Sequence, residues 1–196
     1  TVDAEKLRAL RVAGINRLSI GAQSFSPRKL GMLHRDHTAQ ETRECVQMAR
    51  AEGFLNLSLD LIFGLPGETL EEWRQDIYHA LDLEPEHVSL YNLEFHEGTV
   101  FDRWKRTGRL SPLDEDLEAE MYLMTHEILT ENGFEHYEVS NFARPGFQAV
   151  HNSAYWKGRP YLGLGPSAHS FDGERLRFEN VADMHEYFRT IEENKM

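Results

Sequence analysis

The sequence predicts an α/β fold, built from parallel strands joined by helical crossovers. Three observations point there. Apolar residues alternate between a helical and a period-two rhythm, in the order helix, strand, helix, strand, helix, strand, helix. Two Thr-x-x-Glu signatures, Thr38 with Glu41 and Thr69 with Glu72, mark the starts of crossover helices. The first two strands each carry one apolar and one polar face, unlike the all-apolar strands of a doubly wound sheet. A polar inner face suits half of a (β/α) barrel. An open sheet with one solvent-facing side accounts for it as well, and the pattern leaves both open.

Element by element, Leu7, Leu10 and Ala13 sit at helical spacing in residues 3–13, and Gly14 supplies a stop. Over residues 15–23, Leu18, Ile20 and Ala22 alternate with Arg17, Ser19, Gly21 and Gln23, which reads as a strand. Ser26-Pro27 starts a short helical turn. The helix opened by Thr38 places Cys45, Val46 and Ala49 on one face and ends near Gly53. Leu55, Leu57, Leu59 and Leu61 then alternate with Asn56, Ser58, Asp60 and Ile62, a strand that runs into the loop Gly64-Leu65-Pro66-Gly67. The helix opened by Thr69 has the stripe Leu70, Trp73, Ile77, Ala80 and Leu81. Residues 88–95 form a third strand, and a polar stretch follows. The longest helix is expected over 114–132, with Leu117, Met121, Met124 and Ile128 on one face. Beyond it, 134–142 is strand-like and 143–150 is loop. Asn180 is expected to cap a final helix with Val181, Met184, Phe188 and Ile191 inward.

Composition excludes several functions. The 196 residues carry 33 acidic against 21 basic side chains, a net charge of −12, which disfavours a nucleic-acid phosphate binder. The one cysteine, Cys45, cannot form an internal disulfide or a thiolate metal site alone. No apolar run reaches membrane-spanning length and no signal peptide is visible, so a cytoplasmic protein is expected. The ten histidines invite a metal hypothesis, yet none falls in an HExxH pattern, and His34 with His37 lacks a third ligand. Gly165-Pro166-Ser167-Ala168-His169 has histidine where a nucleophile elbow needs its second glycine. Gly163 and Gly165 lack the third glycine of a dinucleotide fingerprint, and no P-loop is present.

Four segments together carry a resemblance. They are Arg17–Phe25 (RLSIGAQSF), Leu33–His37 (LHRDH), Asn56–Thr69 (NLSLDLIFGLPGET), and His151–Trp156 (HNSAYW) with Tyr161–Ser170 (YLGLGPSAHS). Their order and spacing resemble the radical-SAM family, in the group that holds oxygen-independent coproporphyrinogen III oxidases and haem chaperones. The resemblance covers essentially the whole chain. Ser24 stands where the oxidase branch usually has aspartate, and the HNxxYW and AHS segments are similar to the chaperone branch.

The resemblance implies the C-terminal half of a (β/α)6 partial barrel over residues 1–110. Residues 111–196 would then be the long helix and an additional α+β segment. It implies S-adenosylmethionine and a [4Fe-4S] cluster as cofactors. The cluster's CxxxCxxC loop is expected outside this chain, before Thr1, and no metal ligand or catalytic residue within it. By resemblance, Gln23, Arg35 and Asp60 contact S-adenosylmethionine, Ile62 packs near adenine, and Gly64 allows close backbone approach. A guanidinium suits the methionine carboxylate and a carboxylate suits ribose hydroxyls. Read from the residues alone, Asp60 could equally be a lumen carboxylate bonded to Ser58 or Asn56, and Arg35 a loop charge or a partner of Asp36. His151 and His169 are candidate haem ligands, with Tyr155 and Trp156 as packing partners for a porphyrin.

The implied function is a haem chaperone that binds haem and delivers it to a haem-dependent client protein, with membrane contact only through the client. The alternatives are coproporphyrinogen III decarboxylation by a 5′-deoxyadenosyl radical, or an unrelated hydrolase or lyase barrel. Three strands with an open edge would leave pairing groups exposed, so marginal stability is expected of the chain alone.

Overall fold

A computed structural model of the chain describes residues 2–193. Its centre is the strand that the leucine alternation marks out. Leu57, Leu59, Leu61 and Phe63 of β2 (Leu57–Phe63) project to one side and are buried. β1 (Leu18–Gln23) pairs with β2 in parallel, and β3 (His87–Asn92) pairs in parallel on the other side. Leu18 and Ile20 stand beside Leu57 and Leu59, and Val88 beside Leu59, so the apolar faces are in register.

The helices cover that apolar face. α1 (Ala4–Val12) contributes Leu7, while Leu10 is exposed. α2 (Pro27–Met32) has proline in its first turn, as expected, and Ser26 at its N-cap, although the Ser26 side chain makes no capping bond. α3 (Ala39–Ala51) and α4 (Leu70–Leu81) both begin with the full reciprocal capping box read from the sequence. α3 buries Val46 and Ala49, and α4 buries Trp73, Ile77 and Ala80. After the short α5 (Val100–Arg106), α6 (Glu115–Glu131) adds Met121, Met124, Ile128 and Leu129. The buried apolar side chains of α1, α3, α4 and α6 all join one cluster with the leucine side of the sheet. A doubly wound sheet would divide its helices between two faces. Placing them together is the arrangement of a barrel wall.

Several elements differ from expectation. Residues 134–142 do not form one strand. They make a hairpin of β4 (Glu135–His136) and β5 (Asn141–Ala143), and β5 runs antiparallel beside β3, giving the order β1-β2-β3-β5-β4. Tyr137, whose N–H reaches back to the Asn141 carbonyl, closes the turn. The third strand ends at Asn92, before Glu94 and Phe95. The polar stretch after it contains α5, capped by Thr99.

Two compact units make up the chain, residues 1–148 and 149–196. That division differs from the 110/111 boundary read from the sequence, because α6 packs on α4 and belongs with the first unit. The second unit contains α7 (Val150–Trp156), the hairpin β6 (His169–Phe171) with β7 (Arg177–Glu179), and α8 (Met184–Glu192). Asp183, not Asn180, caps α8. The Asn180 amide instead donates to the Gly163 and Gly165 carbonyls, holding the loop before β6. Met184, Phe188 and Ile191 form a stripe on α8 as expected, but it is exposed rather than inward.

Candidate functional site

The face of the sheet opposite the leucines is polar, and strand register assembles it. Ser19 stands beside Ser58, Ser58 beside His87, Asp60 beside Ser89, and Ile62 beside Tyr91. Asp60 lies half-buried at its centre. The Ser19 hydroxyl donates to its two oxygens at 2.9 and 3.0 Å, and Ser58 reaches Oδ1 at 3.5 Å. Burial pushes the Asp60 carboxyl above its ordinary value, opposed by hydrogen bonds from Ser19, Ser89 and Ser58 and by the Arg17 charge. Of the two local partners expected for Asp60, Ser58 makes only the long contact and Asn56 makes none, its Oδ1 being buried without a partner among the described residues; the stronger partner is Ser19, which the alternation did not single out. Deeper in the face, His87 Nδ1 bonds Ser58 Oγ at 2.8 Å and Nε2 bonds the Tyr137 hydroxyl at 2.7 Å. Burial, with the nearby Arg17 charge, lowers the His87 pKa to about 4.

Gln23 ends β1 with φ of 62°, after a register irregularity between Ile20 and Gln23. Its amide folds back over Gly21: a Cβ there would lie 2.6 Å from Gln23 Nε2. Glycine at 21 thus makes room for the glutamine head on the polar face. Among the described residues that amide makes no hydrogen bond, which leaves its donor and acceptor for a ligand. Gln23 is registered against Leu61, one residue past Asp60, so the amide at the C-terminal end of β1 stands beside the middle of β2, next to the carboxylate. The C-terminal end of the strands is the edge where (β/α) barrels carry their sites.

Arg35 lies on the loop after α2 and is exposed. Its backbone N–H bonds the Leu30 carbonyl, and among the described residues its guanidinium forms no ion pair, with Asp36 or otherwise. The loop is tied to β1 by His37 Nε2, 3.0 Å from the Ala22 carbonyl oxygen. No hydrogen bond joins Arg35 to Gln23 or Asp60 among the described residues. Ile62 is half-buried on the polar face. Gly64 has φ of +78°, and a Cβ there would run into Asn92 Oδ1. The glycine's space is therefore used by Asn92, whose amide donates to Glu118 at 2.9 Å.

In the second unit the structure brings His151 and His169 together. Both line a cleft of about 630 Å³ with Tyr155, Tyr161, Leu162 and Leu164. His151 Nε2 is 2.9 Å from the Tyr155 hydroxyl, and Tyr155 stacks edge-on to Tyr161. His169 Nε2 is 3.5 Å from Glu179 Oε2 across the hairpin. Trp156 is exposed and does not line this cleft.

Cofactor fit divides in two. The half-buried Asp60 carboxylate and the unpartnered Gln23 amide suit the ribose and backbone polar groups of S-adenosylmethionine. The cluster does not fit this chain. Among the described residues no group of three or more His, Cys, Asp or Glu could hold a metal, and burial raises the pKa of the Cys45 thiol, the reverse of what a ligand needs.

Sequence reasoning missed a buried ionic group. Lys29 of α2 pairs with Glu68 and with Asp76 of α4, and all three are 2% exposed or less. A signal was present: Asp76 falls three residues after Trp73, on the apolar face of an otherwise regular stripe.

Residues 1–78 match the radical SAM superfamily. Haem chaperone HemW of Lactococcus lactis is 37% identical over 191 residues, 97% of this chain and 50% of that protein. Haem chaperone HemW of Bacillus subtilis is 40% identical over 192 residues, 98% of this chain and 50% of that protein. The chain thus spans about half the length of these curated relatives. The structure of coproporphyrinogen III oxidase HemN from Escherichia coli, a radical SAM enzyme, superposes with a TM-score of 0.78 at 25% identity, covering 99% of this chain and 47% of that one. By the family match over residues 1–78, and by its likeness in sequence and fold to these radical SAM relatives, the chain belongs to the radical SAM superfamily.

Proposed function

We propose that this chain supplies the S-adenosylmethionine-binding strand ends of a haem chaperone, with Gln23, Arg35 and Asp60 as cofactor contacts. One observation carries the reading: the Gln23 amide, held without a partner over Gly21, stands one register position from a carboxylate that three serines orient. Asp60 accepts from ribose hydroxyls while Ser19 and Ser58 fix its plane. The exposed Arg35 guanidinium receives a carboxylate, and Ile62 gives the adenine an apolar edge. When bound with its cluster, S-adenosylmethionine supplies reductive cleavage chemistry; the chain's own part is to bind and orient it.

The second unit offers a haem face. Two imidazoles, two tyrosines and two exposed leucines line one cleft, the mixture of ligand and apolar contact that a porphyrin requires. The cargo would pass to a haem-dependent client. Coproporphyrinogen oxidation is the competing reading, supported by the HemN likeness. Ser24 speaks for the chaperone, since its hydroxyl donates to buried Asp76 at 2.6 Å and an aspartate in its place would set a second carboxylate against the first. No helix among the described residues is long and apolar enough to cross a membrane.

Calorimetric titration of the intact protein with S-adenosylmethionine tests the site. Asp60→Ala is expected to weaken binding about tenfold or more, the cost of losing a charged acceptor; unchanged affinity overturns the assignment. Haem titration tests the cargo. His151→Ala and His169→Ala should each alter the Soret band of the complex. Absence of a stable haem complex, with anaerobic consumption of coproporphyrinogen, would favour the enzyme.

A further inference from the structure

The most heavily buried charges among the described residues touch none of the proposed contacts, yet they hold the chain directly after two of them, Gln23 and Gly64. Asp76 accepts from the Ser24 hydroxyl at 2.6 Å and from the Phe25 N–H at 2.7 Å. These are the two residues directly after Gln23. Glu68 accepts from the Leu65 N–H at 2.9 Å, directly after Gly64. Lys29 lies between both carboxylates, with Trp73 beneath its ammonium at 5.6 Å. The carbonyl of Lys29 also receives the Leu33 N–H at the turn that leads into Arg35.

We propose that Lys29, Glu68 and Asp76 are positioning residues of the S-adenosylmethionine site, in which one buried ammonium joins the two carboxylates that hold the loops directly after Gln23 and Gly64. This rests on the cofactor reading given above and adds to it the residues that hold the contacts in place.

Energetics favour a geometric role over a merely stabilising one. Two carboxylates and one ammonium withdrawn from water cost more in desolvation than well-packed apolar side chains of the same volume. Burial accordingly raises the pKa of Glu68 against the pull of Lys29. What such a group provides instead is direction. Each carboxylate accepts hydrogen bonds at fixed angles from a backbone that must leave β1 or β2 in an unusual conformation, φ of 62° at Gln23 and +78° at Gly64. A ligand-binding edge built from strained loop residues needs such fixed partners. Because Lys29 contacts both carboxylates, a disturbance on one loop is transmitted to the other.

The test uses the full-length protein with two variants on opposite sides of the ammonium. Glu68→Gln removes one anion from the β2 side, and Ser24→Ala removes two hydrogen bonds from the β1 side, the one given to Asp76 and the one received from the Ser26 N–H. Amide exchange is followed by mass spectrometry without cofactor, and S-adenosylmethionine affinity is measured by titration. Glu68→Gln is expected to speed exchange about tenfold at Ser24–Ser26 as well as near Leu65. Ser24→Ala should do the reverse, loosening the Gly64–Gly67 loop. Both should weaken cofactor binding about tenfold with the far-ultraviolet circular dichroism unchanged. Should Glu68→Gln fail to fold, the milder Ser24→Ala decides. Exchange that rises only on the mutated loop, or folded variants that bind as tightly as wild type, would overturn the proposal. Wild-type protein that does not bind S-adenosylmethionine would instead overturn the site reading itself, and this proposal with it.

Discussion

His87 shows how strongly single residues on the polar face are set by their surroundings. It is buried with both ring nitrogens occupied, and its pKa falls from 6.5 to about 4. A lowered histidine pKa means that the unfolded chain takes up the proton first. Stability is therefore complete above about pH 6.5 and declines as the pH falls toward 4. At pH 5 the loss from this residue is about 2 kcal/mol. Thermal unfolding at pH 7.5 and pH 5 should show this loss in the wild type and much less of it in His87→Gln. Equal pH sensitivity in both would contradict the assignment. Asp60 and Glu68 have raised values and act in the opposite sense, regaining stability as acid protonates them. Gly64 makes a second prediction at this scale. Gly64→Ala places a methyl group against Asn92 at a φ that only glycine adopts cheaply, and should destabilise by about 2 kcal/mol or more in denaturant unfolding. The role of Gly64 in sequence was read as room for a ligand. Its partner in the structure is Asn92, 28 positions away, a contact that no local pattern encodes.

At the scale of elements, local chemistry was the reliable guide. Both capping boxes are present with all their bonds, and the stripes of α3, α4 and α6 face the core as their spacing demands. Thr69→Ala removes the bond from Glu72 N–H to the threonine hydroxyl and the hydroxyl's own bond to the Glu72 carboxylate, leaving the backbone half of the capping box at the N-terminus of α4. The expected cost is about 1 kcal/mol, a fall of about 2–4 °C in Tm. The hairpin at β4 and β5 was illegible because Glu135–His136 and Asn141–Ala143 are too short to display a period. Their pairing depends on β3, a tertiary partner. α7 hid in a run of glycine and aromatic residues for the same reason, since its seven residues complete scarcely two turns. Within the candidate site, the residues carried by strand alternation were readable, whereas the Lys29 group was not: its three members come from different elements and meet only on folding.

For the whole molecule, the two units differ in kind. Every buried apolar side chain among the described residues belongs to the first, and in the second the buried residue is Ser170. The second unit is held by hairpin bonds, the Asn180 bridge and aromatic contacts, without an apolar interior. Limited proteolysis of the 196-residue chain is therefore expected to cut first beyond Gln148, leaving a resistant fragment close to residues 1–148 by mass spectrometry. Cleavage that begins within 1–148 would contradict this. Met184, Phe188 and Ile191 are exposed and add an apolar surface that helical spacing in the sequence places inward. The stripe on α8 was read correctly as a stripe; spacing says which residues share a face, not whether anything lies against it.

The sheet order leaves β1 on an outer edge, with its far side unpaired among the described residues. Such an edge is a template on which further copies of a chain can add, strand upon strand, into a growing ribbon. Here the template is short. Regular pairing with β2 runs from Leu18 to Ile20 and then slips before Gln23. A bulge coils the strand and breaks the flat repeat that stacking requires. The same slip that turns the glutamine amide toward the polar face therefore confines regular pairing along β1 to its first half, whichever strand lies against it.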